Sequence, residues 1–515
     1  MGAAVLWRTR QQAVVSALPL FVLAVSVTPW LQYGAGMLLF HGNAWMAFSY
    51  LLAFALAIVI GQGWERFSPA QAADGLFFAI GIACVGSVGL QLHQWLQINW
   101  LDIWSMGNGF GRPYANFGQP NQLGTLLLWG ILAAAWGWQR GHIRPVVAIA
   151  AMVFVLFGVA LTASRTAWIG LLLLVAACWY WRRLWHSRAV PWVACALLGV
   201  FVLFAWAIPR ISIRLMLATE SGVVDEMARV ATESRPQIWA LFLDAARHKP
   251  WFGYGWNQAS EAHLAVALNH PPLKILFTHA HNLFLELLIY CGMPFGLLIS
   301  GVLCAWLWRR FRAVEDAGSA MMFLLIAVAA NHAMLEFPLQ YAYFLLPVGL
   351  MAGALDTRLR AQTFAVRWRA PVLLLWLACA LLLGTLVRDY LRVEASYQAL
   401  RFELANFRTT AAREPPDVVL LDQLRDLIVL ARFEPSAGMP AERLDWMRRV
   451  ALQYPSAGVV HKLVVALAWN GHPDEAVLWF RRMCTLVPET QCGAIRNALN
   501  KQAQTDPRIA AIPWP

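Results

Sequence analysis

Hydrophobic positions in this chain come in long unbroken runs, and polar positions gather in the short gaps between them. Up to about residue 388 the apolar runs cover 13–31, 44–62, 72–92, 121–138, 145–163, 166–181, 190–208, 282–307, 319–336, 339–355 and 370–388. Each is near the ~20 apolar residues that carry an α-helix across a bilayer core of about 30 Å. Only a structure that satisfies its backbone internally can sit there, so the runs read as helices. The pattern predicts an all-α polytopic membrane protein with about 11 (10–12) transmembrane helices. The first run has full spanning length and no small-residue cleavage site, and is read as a retained helix. From 389 onward the pattern is that of a soluble helical domain. Segments 461–470 and 474–485, joined by Gly471-His472-Pro473, predict a helix–turn–helix pair. Ala466, Gly471, Glu475 and Ala476 loosely resemble a tetratricopeptide hairpin, in one copy. The expected organisation is therefore 1–208 and 282–388 as membrane helices, 209–281 as a large loop, and 389–515 as a small helical platform.

Composition supports the membrane class. Sixty per cent of the 515 residues are apolar and 13% charged, against roughly 25% charged in soluble proteins. The net charge of +12 would point to nucleic acid if it were spread over a soluble surface. It is not so spread. Residues 389–515 hold 15 basic and 14 acidic side chains, and the excess lies in the turns between apolar runs. With a cytoplasmic N-terminus, the inner segments hold 15 arginines: Arg8, Arg10, Arg66, Arg140, Arg144, Arg182, Arg183, Arg188, Arg309, Arg310, Arg312, Arg358, Arg360, Arg367 and Arg369. The short outer loops hold two, Arg112 and Arg165. This positive-inside bias places the loop 209–281 and the tail outside the cytoplasm. Tryptophans such as Trp30, Trp45, Trp95, Trp306 and Trp308 mark span ends, as interfacial anchors do. Cys484 and Cys492 stand eight apart on the oxidising side, where a disulfide and two free thiols are both open.

The candidate chemistry sits where these rules break. Arg165, in Thr162-Ala163-Ser164-Arg165-Thr166, falls between two apolar runs with almost no loop. A charge there either snorkels to headgroups or has a partner or ligand. The loop 209–281 mixes Arg210, Arg214, Arg229, Arg235, Lys249 and Lys274 with Trp239, Trp251, Phe252, Tyr254 and Trp256. Guanidinium forks suit phosphate oxygens, so the loop reads as a lid over an anionic, membrane-embedded substrate, against the plainer reading of nonspecific headgroup binding. It ends in Thr278-His279-Ala280-His281-Asn282, at a span start. A neutral imidazole at His281 can take a proton from a hydroxyl. It could also ligate a metal, but 32–43 contains no acid and 93–120 only Asp102, which favours chemistry without metal or other cofactor. Asn116-Phe117-Gly118-Gln119-Pro120-Asn121-Gln122 puts amides beside a helix-starting proline. Asn331, His332 and Glu336 form another polar group. The i,i+4 spacing of His332 and Glu336 fits a structural pair as well as a site. Gly107-Asn108-Gly109-Phe110-Gly111 lacks the strand–helix context of a nucleotide loop and is set aside.

These clusters, in this order, resemble the O-antigen ligase and polymerase superfamily. Ser164-Arg165-Thr166 is similar to its central motif, and His281-Asn282-Leu283-Phe284-Leu285-Glu286 with Gly292-Met293-Pro294 to its histidine motif. The Asn116 to Gln122 stretch and Glu336-Phe337-Pro338-Leu339-Gln340-Tyr341-Ala342-Tyr343 look most like the branch of bacterial protein O-oligosaccharyltransferases. The resemblance implies transfer of a preassembled glycan from an undecaprenyl-pyrophosphate carrier to Ser or Thr hydroxyls of a periplasmic or pilus protein, at the outer face of the bacterial inner membrane. By position it implies His281 as the catalytic histidine and Arg165 and Arg235 as pyrophosphate contacts. Gln119, and Tyr341 or Tyr343, match further substrate-binding positions. His279, Asn282 and Lys274, near the histidine motif, join the substrate-binding candidates, with His332 and Glu336 as additional ones. Direct displacement would invert the anomeric centre. Two rivals remain: an O-antigen ligase using lipid A-core as acceptor, and a transporter of lipid-linked glycan. Transporters often show internal repeats and buried midplane charges. Here the polar clusters share one membrane face, which suits surface chemistry.

Overall fold

The computed structural model of the chain describes residues 13–98, 100–105, 112–217, 235–366, 370–407 and 414–515. The glycine-rich run 107–111 and Arg8, Arg10, Arg229, Arg367 and Arg369 lie outside the described residues. In chain order the elements are strand β1 (Ala13–Ser16), then helices α1 (Ala17–Ser26), α2 (Thr28–Gly34), α3 (His41–Phe67), α4 (Gln71–Trp95), α5 (Pro120–Gln139), α6 (Pro145–Leu161), α7 (Arg165–Tyr180) and α8 (Val190–Arg214). There follow α9 (Arg235–His248), α10 (Ala259–Val266), α11 (Leu283–Ala313), α12 (Ala317–Ala333), α13 (Ala342–Arg358), strand β2 (Thr363–Val366) and α14 (Ala370–Leu404). The C-terminal helices are α15 (Asp422–Arg432), α16 (Ala441–Gln453), α17 (Ala457–Trp469), α18 (Pro473–Leu486), α19 (Glu489–Ala503) and α20 (Pro507–Ala510).

The protein is mostly helical, and each apolar run falls on a helix or, for the first, on the pair α1 and α2. Among the described residues, five segments are long and apolar enough by themselves to cross a membrane: α1 with α2, α3, α4, α8 and α11. Helices α6, α7 and α12 are apolar but have 17, 16 and 17 residues. At about 1.5 Å per residue they reach roughly 25 Å, a little less than the hydrocarbon core. The first run corrects the sequence reading in one respect: it begins extended. Ala13-Val14-Val15-Ser16 pairs antiparallel with β2, from Ala13 opposite Val366 to Ser16 opposite Thr363. Two β-branched valines favour that conformation, and the partner strand lies some 350 residues away, beyond any local signal.

The chain divides into two compact units. The first comprises Met1–Val22, Ala53–Pro236 and Val302–Arg369. Its helices start where the sequence punctuates them. Pro120, Pro145 and Pro191 stand in the first turns of α5, α6 and α8, where a missing N–H costs nothing. Ser164 caps α7 through the Ala167 amide, and Asp316 with Ser319 forms a reciprocal capping box on α12. Helices α3 and α13 cross on glycine: a Cβ at Gly61 or Gly353 would run into the Leu350 or Ile58 carbonyl oxygen. Small residues at such crossings let backbones approach where no hydrophobic force drives association. Some of the unit's helix-end arginines meet counter-charges within it. Arg358 reaches Asp316 at 2.9 Å and Glu65 at 3.3 Å. Asp356, 2% exposed, accepts from Ser16 Oγ and Trp306 Nε1. Arg140 pairs with Asp74 at 3.2 Å.

The second unit comprises Leu23–Leu52, Gln237–Gly301 and Ala370–Pro515. Helices α15 to α20 enclose a core around Leu463, Val464, Leu467, Phe480 and Met483. The expected helix–turn–helix pair is α17 and α18, turning at Gly471 with φ +82°. Leu264 and Ala267 belong to the same core. The segment 209–281, read as a large loop with amphipathic helices that forms a lid, contributes apolar side chains to the helical platform. Cys484 and Cys492 are joined as a disulfide between α18 and α19.

Candidate active site

The sequence-predicted residues fall into two groups, one in each unit. In the first unit, Pro120 starts α5, and the next residue, Asn121, projects at the helix end. Its amide bridges two other elements. Oδ1 accepts from Ser164 Oγ at 2.7 Å, and Nδ2 donates to Glu336 Oε1 at 3.1 Å. The same carboxylate oxygen receives Arg235 Nη2 at 3.2 Å, while Arg235 Nε donates to the Leu335 carbonyl at 3.1 Å. One continuous chain, Arg235–Glu336–Asn121–Ser164, thus connects four segments and ends beside Arg165. Both pyrophosphate candidates therefore belong to one end of one unit. Arg235 and Glu336 are largely buried, at 13% and 8% side-chain exposure, where an ion pair needs such supplementary hydrogen bonds to be tolerated.

The backbone around Arg165 is equally determined. Ala163 has φ +47°, and Thr162 and Ser164 are buried. Thr162 Oγ1 accepts the Ser164 amide, and its carbonyl accepts Arg112 Nε at 2.8 Å. Arg112, the second arginine to break the charge rule, thus has a structural task. Asn331 Nδ2 holds the Thr166 carbonyl at 3.2 Å. Arg165 is the first residue of α7, where the helix dipole adds positive potential to its own charge.

The Glu336 amide bonds the His332 carbonyl at 2.9 Å in the turn that follows α12, and the Glu336 carboxylate meets Arg235 and Asn121. The fully buried His332 places Nδ1 2.8 Å from Thr125 Oγ1. Tyr343 donates to Gln122 Oε1 at 2.8 Å and meets the Phe117 ring edge-on at 5.4 Å. Tyr341 packs between Phe337 and Tyr343 at ring distances of 6.2 and 5.3 Å. Gln119, half-buried, is the N-cap residue of α5. Its carbonyl accepts the Gln122 and Leu123 amides.

The second unit holds His281, His279, Asn282 and Lys274. Asn282 caps α11: its Oδ1 accepts the Phe284 and Leu285 amides at 3.1 Å. Glu286, one turn further, is the hub of the histidine turn. Its Oε2 accepts the Ala280 amide at 2.6 Å, and Oε1 accepts from His279 Nδ1 at 2.9 Å and from the Tyr290 hydroxyl. His281, between these contacts, has φ +52°, a conformation uncommon without glycine. Trp239 Nε1 donates to its carbonyl at 3.3 Å, and the Phe277 ring meets its imidazole edge-on at 5.7 Å. Phe277 is fixed in turn by His263, whose Nδ1 accepts the Phe277 amide at 3.2 Å. Burial pushes the His263 imidazole down to about 4, so it stays neutral and can accept. Lys274 is committed to the platform. Its ammonium reaches Glu489 at 2.6 Å and the Cys484 carbonyl at 3.0 Å, and its amide bonds the Thr485 carbonyl. Among the described residues no three His, Cys, Asp or Glu side chains gather as a metal site.

Several supporting side chains were not among the candidates: Asn121, Ser164, Thr125, Gln122, Glu286, Tyr290, Trp239 and His263. Most lie within the quoted motifs, and Tyr290 stands four residues after Glu286, which was the available signal. Nothing local to His263 marks it.

Comparison with known proteins places this geometry. Residues 150–299 match the O-antigen ligase family, residues 113–138 the protein glycosylation ligase family, and residues 320–498 the C-terminal region of the virulence factor membrane-bound polymerases. The general O-oligosaccharyltransferase of Acinetobacter baylyi is 29% identical over 446 residues, 84% of this chain and 76% of that protein. The ComP-specific O-oligosaccharyltransferase of the same organism is 26% identical over 337 residues, 64% of this chain and 59% of its own length. The segments carrying Asn121, Arg165 and His281 all fall inside the family matches, and the chain is similar to the O-antigen ligase family and to bacterial O-oligosaccharyltransferases.

Proposed function

We propose that the protein transfers a preassembled oligosaccharide from undecaprenyl pyrophosphate to a Ser or Thr hydroxyl of a periplasmic or pilus protein, at the outer face of the inner membrane. Similarity to O-oligosaccharyltransferases over most of the chain carries the reading. The Arg235–Glu336–Asn121–Ser164 chain supports it by presenting oriented guanidinium beside Arg165. In the proposed step His281 accepts the hydroxyl proton, the hydroxyl oxygen bonds to the anomeric carbon, and the bond from that carbon to the pyrophosphate oxygen breaks. Undecaprenyl pyrophosphate leaves with the electron pair, and the anomeric centre inverts. Pyrophosphate is a good leaving group, so the main electrostatic task is to hold the growing negative charge, which Arg165 and Arg235 perform. The ordered turn around Glu286 keeps the imidazole in one orientation for proton removal. Gln119 and Tyr341 or Tyr343 contact the glycan or acceptor in this reading, with His279 and Asn282 holding the turn.

The match of residues 150–299 to the O-antigen ligase family favours a second reading, with lipid A-core as acceptor. The test is to incubate purified enzyme with labelled carrier-linked glycan and either a pilin-like protein or lipid A-core, with and without chelator. Label on the protein, unaffected by chelator, is expected; label on lipid A-core selects the second reading. His281→Ala should lower transfer by at least about a hundredfold, the usual range for loss of a general base, while inserting normally. Full activity in that variant would exclude the base assignment.

A further inference from the structure

The first unit contains a part-open cavity that the proposed reaction does not use. It has a volume of about 100 Å3 and lies among α5, α6, α7, α8 and α12. Its walls are apolar, with Leu132 and Ala135 from α5, Leu171 and Leu174 from α7, and Val193 and Ala194 from α8. It lies away from the pyrophosphate candidates: the lining of α7 runs from Leu171 to Cys178, toward the helix end opposite Arg165, and that of α5 from Ile131 to Gln139, away from Asn121. Polar groups stand at one rim, where His186 and Gln139 share a close hydrogen bond. The two connections at that rim, 140–144 and 181–189, contain five arginines and no acid. Arg140 pairs with Asp74. Arg144, Arg182, Arg183 and Arg188 are exposed, and none has an ion pair among the described residues.

An apolar slot ending in unpaired guanidiniums matches one class of molecule in a bilayer. We propose that the cavity takes an acyl chain of an anionic glycerophospholipid, whose phosphate lies against Arg182, Arg183 and Arg188. Alkyl chain and wall are alike in polarity, so occupancy is favoured by packing. The headgroup supplies the counter-charge that the chain lacks at this rim, and clustered basic residues at the cytoplasmic end of spanning helices select anionic lipid. The isoprenoid tail of a carrier could fill the same slot, but its pyrophosphate would be held near Arg165 and would leave these arginines without a partner.

The experiment does not depend on glycan transfer. The protein is purified from bacterial membranes in mild detergent, and the lipid that remains bound after washing is identified by mass spectrometry. About one anionic glycerophospholipid per chain is expected. Replacing Arg182, Arg183 and Arg188 together by Gln should reduce it at least about tenfold, since each interfacial arginine contributes roughly a factor of five. Ala194→Trp, which fills the slot, should reduce it similarly. Thermal unfolding in bilayers of phosphatidylcholine alone and with phosphatidylglycerol gives a second measure: the wild type gains stability from the anionic lipid and the triple Gln variant does not. Bound undecaprenyl phosphate in place of phospholipid, neutral lipid only, or equal retention in the triple Gln variant would overturn the proposal. Those three arginines are exposed, so that variant stays informative if Ala194→Trp fails to fold.

Discussion

The carboxylate of Glu336 is the junction of the first unit's polar chain. One oxygen, Oε1, accepts from both Arg235 and Asn121, and so fixes a long flexible guanidinium and a bridging amide at once. Replacing it by Gln and by Ala should therefore have different effects. Glu336→Gln keeps an acceptor oxygen of the same reach and loses the charge. It should fold and retain part of its transfer activity, with weaker discrimination for the anionic donor. Glu336→Ala removes the carboxylate partner of a largely buried guanidinium, and loss of one partner from a buried pair costs about 3–5 kcal/mol. It should melt well below the wild type and lose transfer. Measuring unfolding temperature and transfer rate on the same preparations gives the order wild type, Gln, Ala in both quantities. If Glu336→Ala matched the wild type in both, the carboxylate would have no organising role.

At the scale of elements, α11 shows how a motif residue can serve geometry. The helix breaks at Gly292, with φ +76° and ψ 168°. The turn around Trp251 fits against the break: the Tyr254 amide bonds the Ile289 carbonyl, and the Met293 amide bonds the Pro250 carbonyl, both at 2.7 Å. A Cβ on Gly292 would collide with the Trp251 carbonyl, and one on Gly253, at φ +70°, with the Ile289 carbonyl. Gly292→Ala therefore combines a backbone penalty of about 1–3 kcal/mol with a clash that no rotamer relieves. It should sharply reduce the yield of monodisperse protein in size-exclusion chromatography. Gly301→Ala in the same helix meets nothing within 4 Å and should equal or slightly exceed the wild type, because Gly in a helix interior costs up to about 1 kcal/mol. Equal behaviour of the two variants would refute the docking role of the break. The same helix marks the limit of sequence reading. Its position follows from hydropathy, and His281 and Gly292 stand out as motif positions. The Trp251 turn against Gly292, and Asn121 joining Ser164 to Glu336 across 43 and 215 residues, arise from tertiary packing. Periodicity and charge carry no information about such pairings. Arg165 and Arg235 are legible because charge in an apolar setting is costly and so conspicuous. His263 is not, because its role is set by a neighbour, Phe277, fourteen residues later.

At the scale of the whole molecule the question is which parts face outward, and the charge pattern makes a prediction that does not depend on the site. Arg140 at the end of α5 pairs with Asp74, Arg310 of α11 with Asp356, and Arg358 of α13 with Glu65 and Asp316, while Arg235 pairs with Glu336. Positive-inside bias predicts that the ends carrying Arg140, Arg310 and Arg358 face the cytoplasm. Eleven spans from a cytoplasmic start put residue 515 outside; ten or twelve bring it back. The Cys484–Cys492 disulfide argues for the outside, since disulfides persist in the periplasm and are reduced in the cytosol. Alkaline phosphatase, active only after export, discriminates the cases. Joined after His142 or His186 it should be silent, and after Asn269 or Pro515 active. In the same cells, alkylation with a thiol-reactive mass tag should find Cys484 and Cys492 protected until a reductant is added. A silent fusion after Pro515 together with freely alkylated Cys484 would mean an even number of spans and a cytoplasmic platform. Lys274, bonded to the Cys484 carbonyl and to Glu489, would then be cytoplasmic too, and with it the segment that leads, seven residues on, to His281. Such a histidine could not reach a periplasmic hydroxyl, so the topology experiment bears on the chemistry as directly as any substitution in the site.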